Sequence, residues 1–146
     1  MRLGEFLLGV GLRIALGFTV VIVPSLPLAW ILGSWICSRD PLLFVGFFLF
    51  HMAVMAALAF LHELGHYVAL RKRDIELDKS LWNIKILVKD GPVPPSASIL
   101  AIALPLAFAV AVYLATGSPF VMAFGLIVAA FGVNDLVRTS GGGRYA

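Results

Sequence analysis

Charge is scarce in this chain: Lys, Arg, Asp and Glu make up 13% of 146 residues, against 61% hydrophobic. A soluble domain of this size needs roughly twice that share to cover its surface. A water-soluble globule is therefore excluded, and residues 1–146 read as a single integral membrane domain with a mean hydropathy of +1.01. Cysteine is nearly absent. Cys37 alone rules out an internal disulfide, and its spacing matches no metal motif. Acidic residues number eight against eleven basic ones, and the pI of 9.4 would suit nucleic acid. The basic residues sit beside apolar segments, however, which fits membrane orientation and argues against a nucleic-acid partner. No cleavable signal peptide is expected, because Arg13 interrupts the early apolar stretch and the run beyond it is too long for a signal core.

What is present is apolar length. Four segments qualify as spans, at about 14–36, 42–70, 98–116 and 120–137. An amphipathic lead-in with Arg2, Glu5 and Arg13 precedes the first. Pro24 and Pro27 within that span each remove a backbone donor and predict a kink or short unwound turn. The second span has no proline. The third contains Pro105, a candidate kink, and the tight turn Gly117-Ser118-Pro119 folds the fourth span antiparallel to it. The fold class is thus an all-α membrane protein of four transmembrane helices.

Lys and Arg set the expected orientation. Arg71, Lys72, Arg73, Lys79, Lys85 and Lys89 lie between the second and third spans, Arg2 and Arg13 precede the first, and Arg138 and Arg144 follow the last. With four spans, every basic residue except Arg39 falls on one side, which should be cytoplasmic with both termini. Trp30, Trp35 and Tyr67 suit interfacial positions, though packing would explain them equally. In the 71–97 segment, Trp82, Ile84, Ile86 and Val88 alternate with Asn83, Lys85, Leu87 and Lys89. This period of two predicts a strand, with Ile75–Leu77 as a partner to form a hairpin. The alternative is a solvated basic loop that only fixes topology. Asp74, Glu76 and Asp78 read as part of a solvated turn.

The densest chemistry is His62-Glu63-Leu64-Gly65-His66, which uses two of three histidines and one of three glutamates. Two histidines four apart on a helix lie about 40° apart on one face, so both rings can reach one metal ion, and Glu63 is placed to take a proton from a water the metal activates. The plain alternative is a buried histidine pair satisfying itself. Ionisable groups inside a membrane favour the functional reading.

A catalytic zinc site needs a third protein ligand. Asp135 is the only acidic residue after Asp90 and stands three residues before Arg138. Counting two antiparallel crossings returns it to the depth of the histidines. Alone it would read as a helix-end carboxylate, water-capped or paired with Arg138; beside an incomplete zinc site the ligand role is favoured. No glutamate follows Glu76, which argues against a glutamate as third ligand. Asn134 is a candidate for hydrogen-bonding a substrate backbone or orienting a ligand, with an ordinary helix-end asparagine as an equal alternative. His51 shares the helix face but lies about 16 Å further along the axis, too far for the same metal, and reads as packed or water-contacting.

Phe60-Leu61-His62-Glu63-Leu64-Gly65-His66-Tyr67 within a membrane helix, followed two spans later by Asp135, resembles the site-2 protease family of intramembrane zinc metalloproteases, in its minimal prokaryotic form. The likeness covers roughly residues 42–138. It implies a Zn2+ cofactor, Glu63 as general base, peptide-bond hydrolysis in a membrane-spanning protein substrate, and a monomer or small homo-oligomer in the bilayer. The family's Asn…Pro…Leu-Asp-Gly pattern corresponds here to Gly132-Val133-Asn134-Asp135-Leu136-Val137-Arg138, which lacks the prolines and the final glycine. The competing reading is a catalytically degenerate relative that binds metal or a partner as scaffold or chaperone. A transporter is disfavoured because the ionisable residues gather at one depth.

Overall fold

The computed structural model describes residues 1–36, 40–78 and 84–141. In chain order it contains α1 (Leu3–Ile36), α2 (Pro41–Leu70), β1 (Ile75–Leu77), β2 (Ile86–Val88), α3 (Pro95–Thr116) and α4 (Pro119–Ser140). The shortest helices, of 22 residues, reach about 33 Å at 1.5 Å per residue. All four are long and apolar enough to cross a membrane.

Local chemistry places the helix ends. Asp40 caps α2 by accepting from the Leu42 amide at 3.0 Å, with Pro41 at the first helical position. At α3, Pro94 holds the N-cap position without a side-chain cap bond and Pro95 opens the helix, which begins three residues before the expected Ser98. Gly117 ends α3 at φ 68°, a left-handed conformation suited to glycine, and its N–H donates to the Tyr113 carbonyl at 2.7 Å. Ser118 and Pro119 then open α4, giving the expected antiparallel pair.

Two expectations for α1 need correction. The amphipathic lead-in is no separate piece: the helix is continuous from Leu3, because Phe6, Val10 and Ile14 form one buried stripe against Tyr67, Leu70, Ile75, Ile86 and Val88. Nor does the chain unwind at Pro24 and Pro27; α1 passes through both. Membrane helices tolerate such prolines where the freed backbone groups find other partners.

The 71–97 segment forms an antiparallel pair with register Ile75↔Val88, Glu76↔Leu87 and Leu77↔Ile86. Backbone bonds from Asp78 to Lys85 and from Lys89 to Asp74, both 2.9 Å, extend the ladder. The strand is shorter than the alternation suggested. Ile84 and Lys85 precede it in irregular backbone, while Trp82 and Asn83 lie outside the described residues. Glu76 belongs to β1 and pairs with Lys89 at 2.6 Å, so it is not part of a solvated turn; Arg73 and Asp90 close the hairpin base at 2.7 Å. Arg13 of α1 donates to the Asp78 carbonyl, tying the hairpin to that helix.

The bundle is apolar outside and close-packed inside. Leu8, Trp35, Leu114 and Val137 are among many large exposed apolar side chains, a surface suited to lipid and not to water. Inside, small residues bring backbones together. A Cβ on Gly65 would stand 2.6 Å from the Ala101 nitrogen, and one on Gly132 would collide with the Ile102 side chain. Trp30 and Trp35 are exposed on α1, whereas Tyr67 is buried and stacked on Phe6 with ring centroids 4.3 Å apart. Packing therefore accounts for the tyrosine.

Candidate metal centre

His62 and His66 lie one turn apart near the C-terminal end of α2, and their rings sit 4.9 Å apart, almost perpendicular. α4 brings Asp135 to both. One carboxylate oxygen, Oδ2, lies 3.3 Å from His62 Nε2 and 3.5 Å from His66 Nε2. The path of α4 is set by Gly132, one turn before Asp135, whose missing side chain lets α4 settle against Ile102 and the His62 ring.

These distances carry information. Nitrogen and oxygen ligands about 2.0–2.2 Å from a tetrahedral zinc lie about 3.3–3.5 Å from one another. The two His–Asp separations match that edge, and one donor atom from each of the three residues lies within 4.8 Å of the others. The His62 side chain is 10% exposed, that of His66 fully buried, and that of Asp135 23% exposed. Access is thus from the α4 side.

Hydrogen bonding points the same way. His62 Nδ1 lies 3.1 Å from the Ala101 carbonyl. A carbonyl only accepts, so Nδ1 carries the hydrogen, and in the neutral ring the Nε2 lone pair faces Asp135. Among the described residues, both buried His66 ring nitrogens and the buried Glu63 Oε2 have no hydrogen-bond partner. At 3.5 Å the His66–Asp135 approach is an ion-pair contact, not a hydrogen bond. In the neutral ring the His62 Nε2 lone pair and the Asp135 carboxylate converge in one buried space, where a cation between them would offset their repulsion. The donor set therefore fits a divalent metal ion, with His62, His66 and Asp135 as the group that can hold it.

Glu63 stands within electrostatic reach of both His62 and Asp135. Asn134, adjacent to Asp135, is exposed. His51 is elsewhere: Nδ1 donates to the Phe47 carbonyl at 2.7 Å, and Nε2 accepts from Ser118 Oγ at 2.7 Å, amid Phe47, Phe50, Phe120 and Phe124. It is a packed histidine that ties α2 to the head of α4. One contact to the site carried no motif, the Ala101 carbonyl; the buried hydroxyls of Ser98 and Thr139 lie 3.5 Å apart one turn beyond Asp135. Thr139 was detectable only as a hydroxyl four residues after Asp135 on the same helix face.

No family model, curated protein or solved structure matches this chain.

Proposed function

We propose that the chain is an intramembrane zinc endopeptidase of the site-2 protease type, hydrolysing a peptide bond in a membrane-spanning protein. The observation that carries this reading is one Asp135 oxygen set at tetrahedral-edge distance from two imidazole nitrogens, beside the buried Glu63, whose Oε2 has no hydrogen-bond partner among the described residues. His62, His66 and Asp135 would hold the ion. Bound there, zinc supplies Lewis-acid polarisation of a carbonyl and acidifies water.

The chain's own residues supply the rest. Glu63 takes one proton from the attacking water as the new C–O bond forms, then delivers it to the amide nitrogen as the C–N bond breaks. A transmembrane substrate hides its carbonyls in helical hydrogen bonds and must unwind locally to present one. The β1–β2 pair has outer edges free of any strand among the described residues, and an extended substrate segment added there would have its backbone groups satisfied. The positive-side bias favours a cytoplasmic side for the hairpin, the termini and the metal end of the bundle, where water is at hand. Action as a monomer or small homo-oligomer suffices.

Glu63→Gln tests the chemistry: zinc stoichiometry should stay at the wild-type value, while cleavage of a single-span substrate in proteoliposomes should fall at least about 100-fold. Retained turnover would refute the role of Glu63. A second reading, a metal- or partner-binding protein without hydrolysis, draws on the sequence around Asp135, which lacks the prolines and glycine of the protease pattern. Wild-type protein that binds zinc but cleaves no single-span substrate would favour it.

A further inference from the structure

α3 has one interior proline, Pro105, and it is fully buried. In a helix each carbonyl accepts from the amide four residues later. For Ala101 that residue is Pro105, which has no N–H to give and whose ring crowds the same carbonyl outward. A membrane interior makes an unpaired carbonyl expensive. Ala101 escapes that cost because His62 Nδ1 donates to it from α2 at 3.1 Å.

The contact depends on how closely the helices approach. Gly65 faces the same point of α3, and a Cβ there would stand 2.6 Å from the Ala101 nitrogen and 2.8 Å from the Leu100 carbonyl carbon. Only glycine lets the α2 backbone lie this close to α3. Gly65, Pro105 and His62 thus act on one atom: the glycine brings it near, the proline frees it and the histidine takes it. His66 has no such anchor among the described residues, where neither of its ring nitrogens finds a hydrogen-bond partner. The orienting contact is therefore confined to His62.

We propose that Pro105 is a positioning residue for the metal centre. By denying the Ala101 carbonyl its helical partner, it commits that carbonyl to His62, fixes the Nδ1–H tautomer and aims Nε2 at the space shared with Asp135. Partners of this kind raise ligand basicity and set ring orientation, and their loss typically lowers metal affinity about 10–100-fold. The proposal rests on the metal-centre reading above.

The test is Pro105→Ala in the full-length protein, with Pro105→Val as a variant closer in volume. Both restore an N–H that recaptures the Ala101 carbonyl within α3. Two measurements apply: ¹⁵N–¹H correlation of the His62 ring in metal-free protein at a pH where the ring is neutral, and Co2+ affinity by chelator competition. Wild type should show His62 as the Nδ1–H tautomer; the variants should shift it toward Nε2–H and bind Co2+ about 10–100-fold more weakly. Thermal midpoints should stay level or rise, because alanine favours a helix interior far more than proline does. Unchanged tautomer with Co2+ affinity within about twofold of wild type would overturn the proposal. So would a lowered midpoint with tautomer and affinity intact, since that marks a packing role alone. Should wild type bind no Co2+, the metal reading fails by itself. The tautomer then decides about Pro105: a switch upholds its control of His62, and no switch refutes it.

Discussion

At the scale of single residues, the three histidines are separated by what each ring nitrogen faces. His62 spends Nδ1 on a backbone carbonyl and turns Nε2 to Asp135; the His66 ring finds no hydrogen-bond partner among the described residues; His51 has both nitrogens engaged, by the Phe47 carbonyl and the Ser118 hydroxyl. His51→Leu should therefore leave metal stoichiometry unchanged while lowering stability by about 1–3 kcal/mol, the range for leaving a buried polar partner unmade. Metal analysis and detergent unfolding of the same sample check both halves, and any loss of metal would contradict the separation drawn here. The His62, His66 and Asp135 grouping was legible in the sequence because the four-residue histidine spacing is a helix-face property and because membrane thickness turns residue counting into depth. The Ala101 carbonyl was not legible by type, since every residue carries one. It becomes visible only when the proline four positions later is read as a missing donor. Ser98 and Thr139 were hidden for a related reason: an isolated hydroxyl in an apolar helix usually bonds back to its own backbone, as Thr139 does to Leu136.

Between elements, close approach is set by glycine, and the glycines are not equivalent. At Gly65 an added methyl meets the Ala101 and Leu100 backbone, which cannot rotate away; at Gly132 it meets the movable Ile102 side chain. Gly65→Ala should cost about 1–3 kcal/mol, as overpacking typically does, and Gly132→Ala less than that, when both are compared by unfolding in one detergent. Equal costs would mean that the α2–α3 contact is softer than its geometry implies. The hairpin responds to charge. The Arg73 guanidinium, by its hydrogen bond first, holds the Asp90 carboxyl below its ordinary range, and Glu76 holds the Lys89 ammonium above its own. A depressed carboxylate contributes above its unfolded pKa and loses that contribution as pH falls through the folded value. A raised ammonium contributes below its unfolded pKa and loses it as pH rises through the folded value. Exchange protection of the β1 and β2 amides should accordingly plateau between the ordinary aspartate and lysine ranges, fall off beyond each end, and weaken with added salt because these groups are exposed. Protection that ignores pH across both ends would assign hairpin order to the apolar face alone. That face was the legible part: alternation from Trp82 to Lys89 pointed to a strand, but not to its regular pairing beginning only at Ile86. Phe6 and Val10 share a buried cluster with Ile75, Ile86 and Val88, a long-range contact that the amphipathic pattern of the lead-in does not announce.

For the molecule as a whole, the centre joins two helices far apart in sequence, since His62 and His66 belong to α2 and Asp135 to α4. α4 packs mainly on α3 and less extensively on α2, so an ion held by all three residues would reinforce the sparser of its two helix contacts. A ligand that binds only the folded state stabilises it by RT ln(1 + [L]/Kd), about 2.7 kcal/mol at one hundred times Kd and about 1.4 kcal/mol more for each further decade. Zinc added to chelator-stripped protein should therefore raise the unfolding midpoint progressively in wild type, and equally in Glu63→Gln, because that carboxylate is assigned to proton transfer and not to holding the ion. Asp135→Ala should lose most of the rise, as the histidine pair alone binds weakly and anchors nothing on α4. The comparison separates holding metal from using it. If zinc stabilised Asp135→Ala as much as wild type, the ion would be sitting on α2 alone, α4 would play no part in the centre, and the convergence of the two helices would be packing without ligation.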